Sequence, residues 1–127
     1  MRLSHVTLYV SDIPRSRAFY EKLGFELIVS SPHYCRFITA GETTLSIERH
    51  EGPIAPAAHI GIEFESAEEL DARVGALRAV GVVIAEGPTD RTWLWRDAHI
   101  HDPDGHVLLF FHAGENKLNP PWRVGPR

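Results

Sequence analysis

Along residues 3–10 the chain alternates with period 2: Val6, Leu8 and Val10 fall on one face, His5, Thr7 and Tyr9 on the other. That is the pattern of a strand with one buried face. Asp12 is placed to cap a helix whose first turn accommodates Pro14, Phe19 and Leu23 stand four apart on it, and Gly24 is a natural stop. Three short strands are predicted next, Phe25–Val29, Tyr34–Thr39 and Thr43–Arg49, separated by the turn-forming runs Ser30-Ser31-Pro32-His33 and Ala40-Gly41-Glu42. Residues 51–57 carry two prolines and no periodicity, and read as a linker.

The plan then starts again. Ala58–Phe64 alternates, with Ile60, Ile62 and Phe64 on one face and His59, Gly61 and Glu63 on the other. Ser66 and Glu69 have the spacing of a capping box. Leu70, Val74, Leu77 and Val80 form an apolar stripe and Gly81 ends the helix. Strands are predicted over Val82–Glu86, Trp93–His101 and His106–His112, the last two joined by the turn Asp102-Pro103-Asp104-Gly105. His5 lies seven residues before Asp12, and His59 seven before Ser66, so the repeat shows in spacing as well as in order. The expected fold class is α+β: two β-α-β-β-β modules forming a cup-shaped mixed sheet with helices on the outer face. The expected organisation is a single domain over 1–127, with module one at 1–51, a linker at 52–57, module two at 58–112 and a tail at 113–127.

Composition narrows the partners. With 13 Lys+Arg against 17 Asp+Glu the formal charge is -4, which argues against nucleic acid and anionic membrane. No apolar run approaches the ~20 residues of a membrane span. The lone cysteine, Cys35, cannot close an internal disulfide and fits an inert thiol in a strand; a cytoplasmic location is expected. Gly-rich phosphate loops, paired zinc cysteines and nucleophile-elbow serines are absent from the sequence.

The pieces Ser4-His5-Val6-Thr7-Leu8-Tyr9-Val10, Arg17–Phe25, His59-Ile60-Gly61-Ile62 and Asp102-Pro103-Asp104-Gly105-His106, in this order and spacing, resemble the vicinal oxygen chelate superfamily. These are the glyoxalases, bleomycin-resistance proteins and extradiol dioxygenases. The resemblance runs over about residues 3–112. It implies a shared cup, and it leaves the reaction open, since such folds host many chemistries. It also implies a divalent metal bound from the first and last strand of each module. His5 and His59 match the first-strand ligands. Ser46 stands at the ligand position of the fourth strand, with Glu48 two residues on and on the same face. Leu109 stands at the ligand position of the eighth strand, which is a departure from the metal-dependent members.

Two readings of function follow. In the first, His5, His59 and Glu48 hold a metal acting as a Lewis acid in lyase, isomerase or dioxygenase chemistry, with Glu48 or His99 moving protons. In the second, the protein is a metal-free binder that sequesters a hydrophobic metabolite or antibiotic. Asp97, His99 and His101 share a face that contacts ligand in fosfomycin-resistance members. Trp95, Leu109 and Phe111 would receive an apolar portion, Ser46 would line the cup, and Arg36 could hold an anionic group. His106 and His112 fall on the helix side and are given no role. The resemblance further implies a homodimer with the cup shared between chains, His5 of one approaching His59 of the other.

Overall fold

The computed structural model describes residues 1–56 and 59–126. The element order is β1 (His5–Val10), α1 (Ile13–Leu23), β2 (Glu26–Ser31), β3 (Tyr34–Ile38), β4 (Thr44–Arg49), β5 (Ile60–Glu63), α2 (Ala67–Ala79), β6 (Glu86–Asp90), β7 (Arg96–His101), β8 (Val107–His112) and a 3₁₀ turn at Gly114–Lys117. The predicted strand start at Ala58, and the linker residue Ala57, lie outside the described residues. Two compact units result: Met1–Ala58 with Asp102–His106, and His59–His101 with Val107–Arg127.

Each unit is a four-stranded mixed sheet. The orders are β1-β4-β3-β2 and β5-β8-β7-β6, with the first strand parallel to the last and the rest antiparallel. The alternation read from the sequence decides which face is buried. In the first unit Leu8, Val10, Cys35, Phe37, Leu45 and Ile47 pack under α1, which contributes Ile13, Tyr20 and Leu23. Tyr20 rather than Phe19 is the fully buried aromatic of that helix. In the second unit Ala98, Ile100, Leu108 and Phe110 lie on the buried side, with Leu70, Val74 and Leu77 of α2 also buried. The opposite, helix-free face of each sheet carries the candidate functional residues.

Both helices begin at their predicted caps: the Asp12 carboxylate accepts from the Arg15 N–H, and the Ser66 hydroxyl from the Glu69 N–H. Both end in the same way. Gly24 and Gly81 take left-handed φ, and the next residue's N–H reaches back, Phe25 to the Tyr20 carbonyl and Val82 to the Leu77 carbonyl. This Schellman closure corrects two predicted strands. Phe25 and Val82 are its apolar caps, so β2 begins at Glu26 and the third strand of the second unit lies at Glu86–Asp90 instead of Val82–Glu86. Val80 sits at the C-cap and is 55% exposed, so the apolar stripe of α2 stops at Leu77. The predicted strand Trp93–His101 is shortened to Arg96–His101, because residues 91–95 form a tight hairpin loop closed by Arg91 N–H to the Trp95 carbonyl.

The turn Asp102–His106 belongs to the first unit for a reason visible in its bonds. The buried Asp102 carboxylate accepts from the Tyr20 hydroxyl at 2.7 Å and from the backbone N–H groups of Asp104 and His106. Asp104 accepts from the Ser11 hydroxyl, and the His106 ring bonds the Tyr9 carbonyl.

Candidate functional site

On the first unit's helix-free face the strand register produces three rows. His5 pairs with Thr44 and Ile38; Thr7 with Ser46 and Arg36; Tyr9 with Glu48 and Tyr34. The row of His5 is polar and locally satisfied: one ring nitrogen lies 2.5 Å from the Thr44 hydroxyl and the other 3.1 Å from that of Thr7. In the middle row Ser46 is fully buried, its hydroxyl 2.5 Å from the Tyr34 phenol, and Arg36 Nε donates to the same phenol at 3.0 Å. Glu48 is exposed at the third row.

Register decides whether these residues meet. Glu48 lies four positions along the parallel pair from Thr44, the partner of His5. At ~3.3 Å per residue that is about 13 Å, too far for one metal ion to touch both side chains within this unit. Ser46, the nearer position, offers a buried hydroxyl already bonded to Tyr34. In the second unit the equivalent position is Leu109, opposite Gly61. Among the described residues no group of three His, Cys, Asp or Glu side chains converges on a point. The donor set of each unit therefore does not fit a two-histidine, one-carboxylate centre.

The second unit's face is of another kind. One row runs Gly61, Leu109, His99, Glu86; the next Glu63, Phe111, Asp97, Thr89. Trp95 stacks on Phe111 with ring centres 4.4 Å apart and planes 13° from parallel. Gly61 suits this packing, since a Cβ there would stand 3.0 Å from the Phe111 ring and the ring would have to shift. Asp97 is 2% exposed and accepts from Arg91 Nε at 2.9 Å, while Arg91 also bonds Glu86 at 2.6 Å. Bonding to Asp97 first, then to Glu86, pushes the Arg91 pKa further up, so this guanidinium is a fixed cation. His99 Nε2 lies 3.5 Å from the Asp97 carboxylate, and the His59 ring meets the His99 ring edge-on at 5.6 Å. His101 is exposed, opposite Val107.

The structure thus brings Trp95, Asp97, His99, Leu109, Phe111 and His59 together, and separately Arg36 and Ser46. It does not bring Glu48 to His5. The His112 ring bonds the Phe64 carbonyl and the His106 ring that of Tyr9. Sequence reasoning missed Tyr34, which the alternation with Arg36 on β3 could have revealed. It also missed Arg91, which lies just past β6 and carries no periodic signal. A hollow of about 350 Å³ opens beside Trp95, bordered also by Arg91, Leu94 and His112. A larger open hollow, about 630 Å³, runs between α1 and the end of β2, and none of the candidate residues lines it.

Paired β-α-β-β-β units with functional side chains on helix-free sheet faces define a class of small-molecule-handling folds, and comparison with known proteins names it. A sequence profile of the Glyoxalase/Bleomycin resistance protein/Dioxygenase superfamily matches residues 2–110. The chain belongs to this superfamily. It is 33% identical over 132 aligned positions to the trivalent organoarsenical cleaving enzyme of Bacillus sp. (strain MD1), covering 95% of this chain and 81% of that protein. It is 26% identical to the virulence protein STM3117 of Salmonella typhimurium, covering 84% of this chain and 81% of that one. Among solved structures, a glyoxalase/bleomycin resistance protein/dioxygenase from Nocardioides superposes with a TM-score of 0.80 at 22% identity, over 98% of this chain and 90% of the other. A lactoylglutathione lyase from Agrobacterium tumefaciens superposes at 0.73 and 17% identity, over 87% and 92%. These two likenesses are of fold. Among the described residues no helix is long and apolar enough to cross a membrane.

Proposed function

We propose that the protein binds and chemically transforms a small organic molecule on the helix-free face of its second unit. The observation that carries this reading is His99. It stands in register with Leu109, beside the stacked Trp95 and Phe111, with its Nε2 3.5 Å from a carboxylate that is itself buried and held by Arg91. A histidine beside a buried carboxylate, in reach of a bound molecule, is suited to take and return a proton. Leu109, and Trp95 over Phe111, would receive the apolar part of the substrate; Leu109 is already half-buried, so covering the rest of it contributes only part of the about 1.5–3 kcal/mol that burying an exposed leucine is worth. His101 adds an exposed polar group at the edge, and Asp97, held by Arg91, lies buried beneath.

The organoarsenical-cleaving relative supports an enzymatic role. Its substrate is another matter. Trivalent arsenic is a soft centre, and soft centres are held by thiolates. This chain has one cysteine, Cys35, which is fully buried under α1. A carbon-based substrate is the better reading. Neither unit alone supplies the donor set of a metal centre, and the reading rests on His99 and the aromatic pair. The alternative, sequestration of a hydrophobic metabolite without turnover, draws on the same aromatic pair and differs only in leaving His99 idle. A C2 homodimer, in which His5 of one chain approaches His59 of its partner, and a cytoplasmic location complete the proposal.

The test is calorimetric titration with 4-nitrophenol, an aromatic weak acid. Saturable binding is expected, weakened at least tenfold in Leu109→Asp. Binding unaffected by that substitution, or no saturable binding, overturns the assignment of this face.

A further inference from the structure

In the first unit, four of the five arginines are held by carboxylates: Arg2 by Glu42, Arg15 by Asp104, Arg17 by Glu21 and Arg49 by Glu51. Arg36 differs. It lies mid-strand on β3, half-buried on the helix-free face, and its recorded partner is a neutral phenol: Nε donates to the Tyr34 oxygen at 3.0 Å. The guanidinium carbon also lies 5.5 Å from the centre of the Tyr34 ring. Tyr34 is fixed in turn, its oxygen 2.5 Å from the hydroxyl of the fully buried Ser46.

We propose that Arg36 is the receiving group of a second binding site, selective for a carboxylate monoanion, with Tyr34 and Ser46 as its positioning residues. Three arguments support it. Among the described residues no carboxylate forms an ion pair with this half-buried guanidinium, and burial sharpens its demand for an anion. Anchoring through Nε leaves the two terminal nitrogens as a planar fork, the geometry that pairs with a carboxylate through two parallel bonds. The hydroxyl network explains why the fork is held still: Ser46 holds Tyr34, and Tyr34 holds Arg36, so little side-chain freedom is lost on binding. Charge selects the monoanion. Glu48 stands opposite Tyr34 in the register, one row along from Arg36 on the same face, and a second negative charge on the ligand would add to its repulsion, so a monoanion is preferred over a dianion such as phosphate. All of its residues belong to the first unit, and neither His99 nor the aromatic pair takes part in the test, so the two readings can fail separately.

Titration of the 127-residue protein with sodium butyrate tests it, since an aliphatic acid makes no use of an aromatic platform. Butyrate is expected to bind saturably, and inorganic phosphate at least tenfold more weakly. Arg36→Gln should lose at least tenfold in butyrate affinity. Arg36→Lys, which keeps the charge without the fork, should retain part of it. Tyr34→Phe should weaken binding severalfold with Arg36 intact, and Arg17→Gln should leave it unchanged. Circular dichroism checks the fold of each variant; should Arg36→Gln fail to fold, a severalfold loss in Arg36→Lys carries the test. The proposal is overturned by absence of saturation, by wild-type affinity in a folded Arg36 variant, or by phosphate binding as tightly as butyrate.

Discussion

Replacing Tyr20 by Phe removes one oxygen from the best-defined polar contact of the first unit. The Tyr20 side chain is fully buried, and its hydroxyl donates at 2.7 Å to Asp102 Oδ2. The other carboxylate oxygen is occupied by the N–H groups of Asp104 and His106. Phenylalanine fits the same space, so no cavity term is added. The cost is that of a hydrogen bond to a charged acceptor, about 1.5–3 kcal/mol, since Oδ2 then lies buried without its donor. A second signature comes from pH. Burial, and next the Asp102 charge, push the Tyr20 pKa above its ordinary value near 10.0. The folded state therefore keeps a proton that the unfolded state releases as pH rises past that value. Stability from this group is complete below the unfolded pKa and falls above it by about 1.4 kcal/mol per pH unit until the folded pKa is reached. Urea unfolding at pH 7 should give Tyr20→Phe a lower midpoint with an unchanged slope. Repeated between pH 9 and 11, it should show the stability gap between the two proteins narrowing above pH 10. A gap that stays constant across that range, or a substitution costing under about 0.5 kcal/mol, would refute the account of this contact.

Three further outcomes are expected. Leu109→Glu places a carboxylate on β8 at the position that the family resemblance assigns to a ligand, and should raise divalent-metal affinity in calorimetry; no gain would mean that His59 does not face that point. Ser66→Ala removes the acceptor for the Glu69 N–H, at a cost of about 1 kcal/mol in thermal or urea unfolding; a change under a few tenths would mean that the cap is replaced by water. Sedimentation at micromolar concentration should give a dimer, and a monomer there would count against the assembly proposed.

Much of this architecture was legible because the helix-covered face of each sheet is apolar and the other face carries most of the polar residues. Alternation separated Val6, Leu8 and Val10 from His5, Thr7 and Tyr9, and the caps Asp12 and Ser66 announced the helices. Legibility failed where tertiary context replaces local pattern. Val82 and Val83 look like a strand, but the Schellman closure uses Val82 as a cap and leaves Val83 81% exposed. The true strand, Glu86–Asp90, contains Gly87 and Pro88 and no apolar alternation; it survives at the sheet edge, where one side needs no partner. The candidate site divided in the same way. Which face Asp97, His99 and Leu109 occupy followed from period 2. That Arg91 holds Asp97 did not, and neither did the Tyr20–Asp102 bond, which joins residues 82 apart in the chain. Glu48 illustrates the limit of composition: a carboxylate on the right face, but four register positions from the level of His5.

The central claim, that His99 moves a proton for a molecule bound on the second unit's helix-free face, is tested most directly by the visible spectrum of 4-nitrophenol bound to the wild-type protein and to His99→Gln. The account predicts that the bound probe ionises at a lower pH than the free probe in the wild type, and that His99→Gln binds it with similar affinity but without that shift. An equal shift in both proteins would contradict the account, as would a bound probe that ionises as it does in free solution.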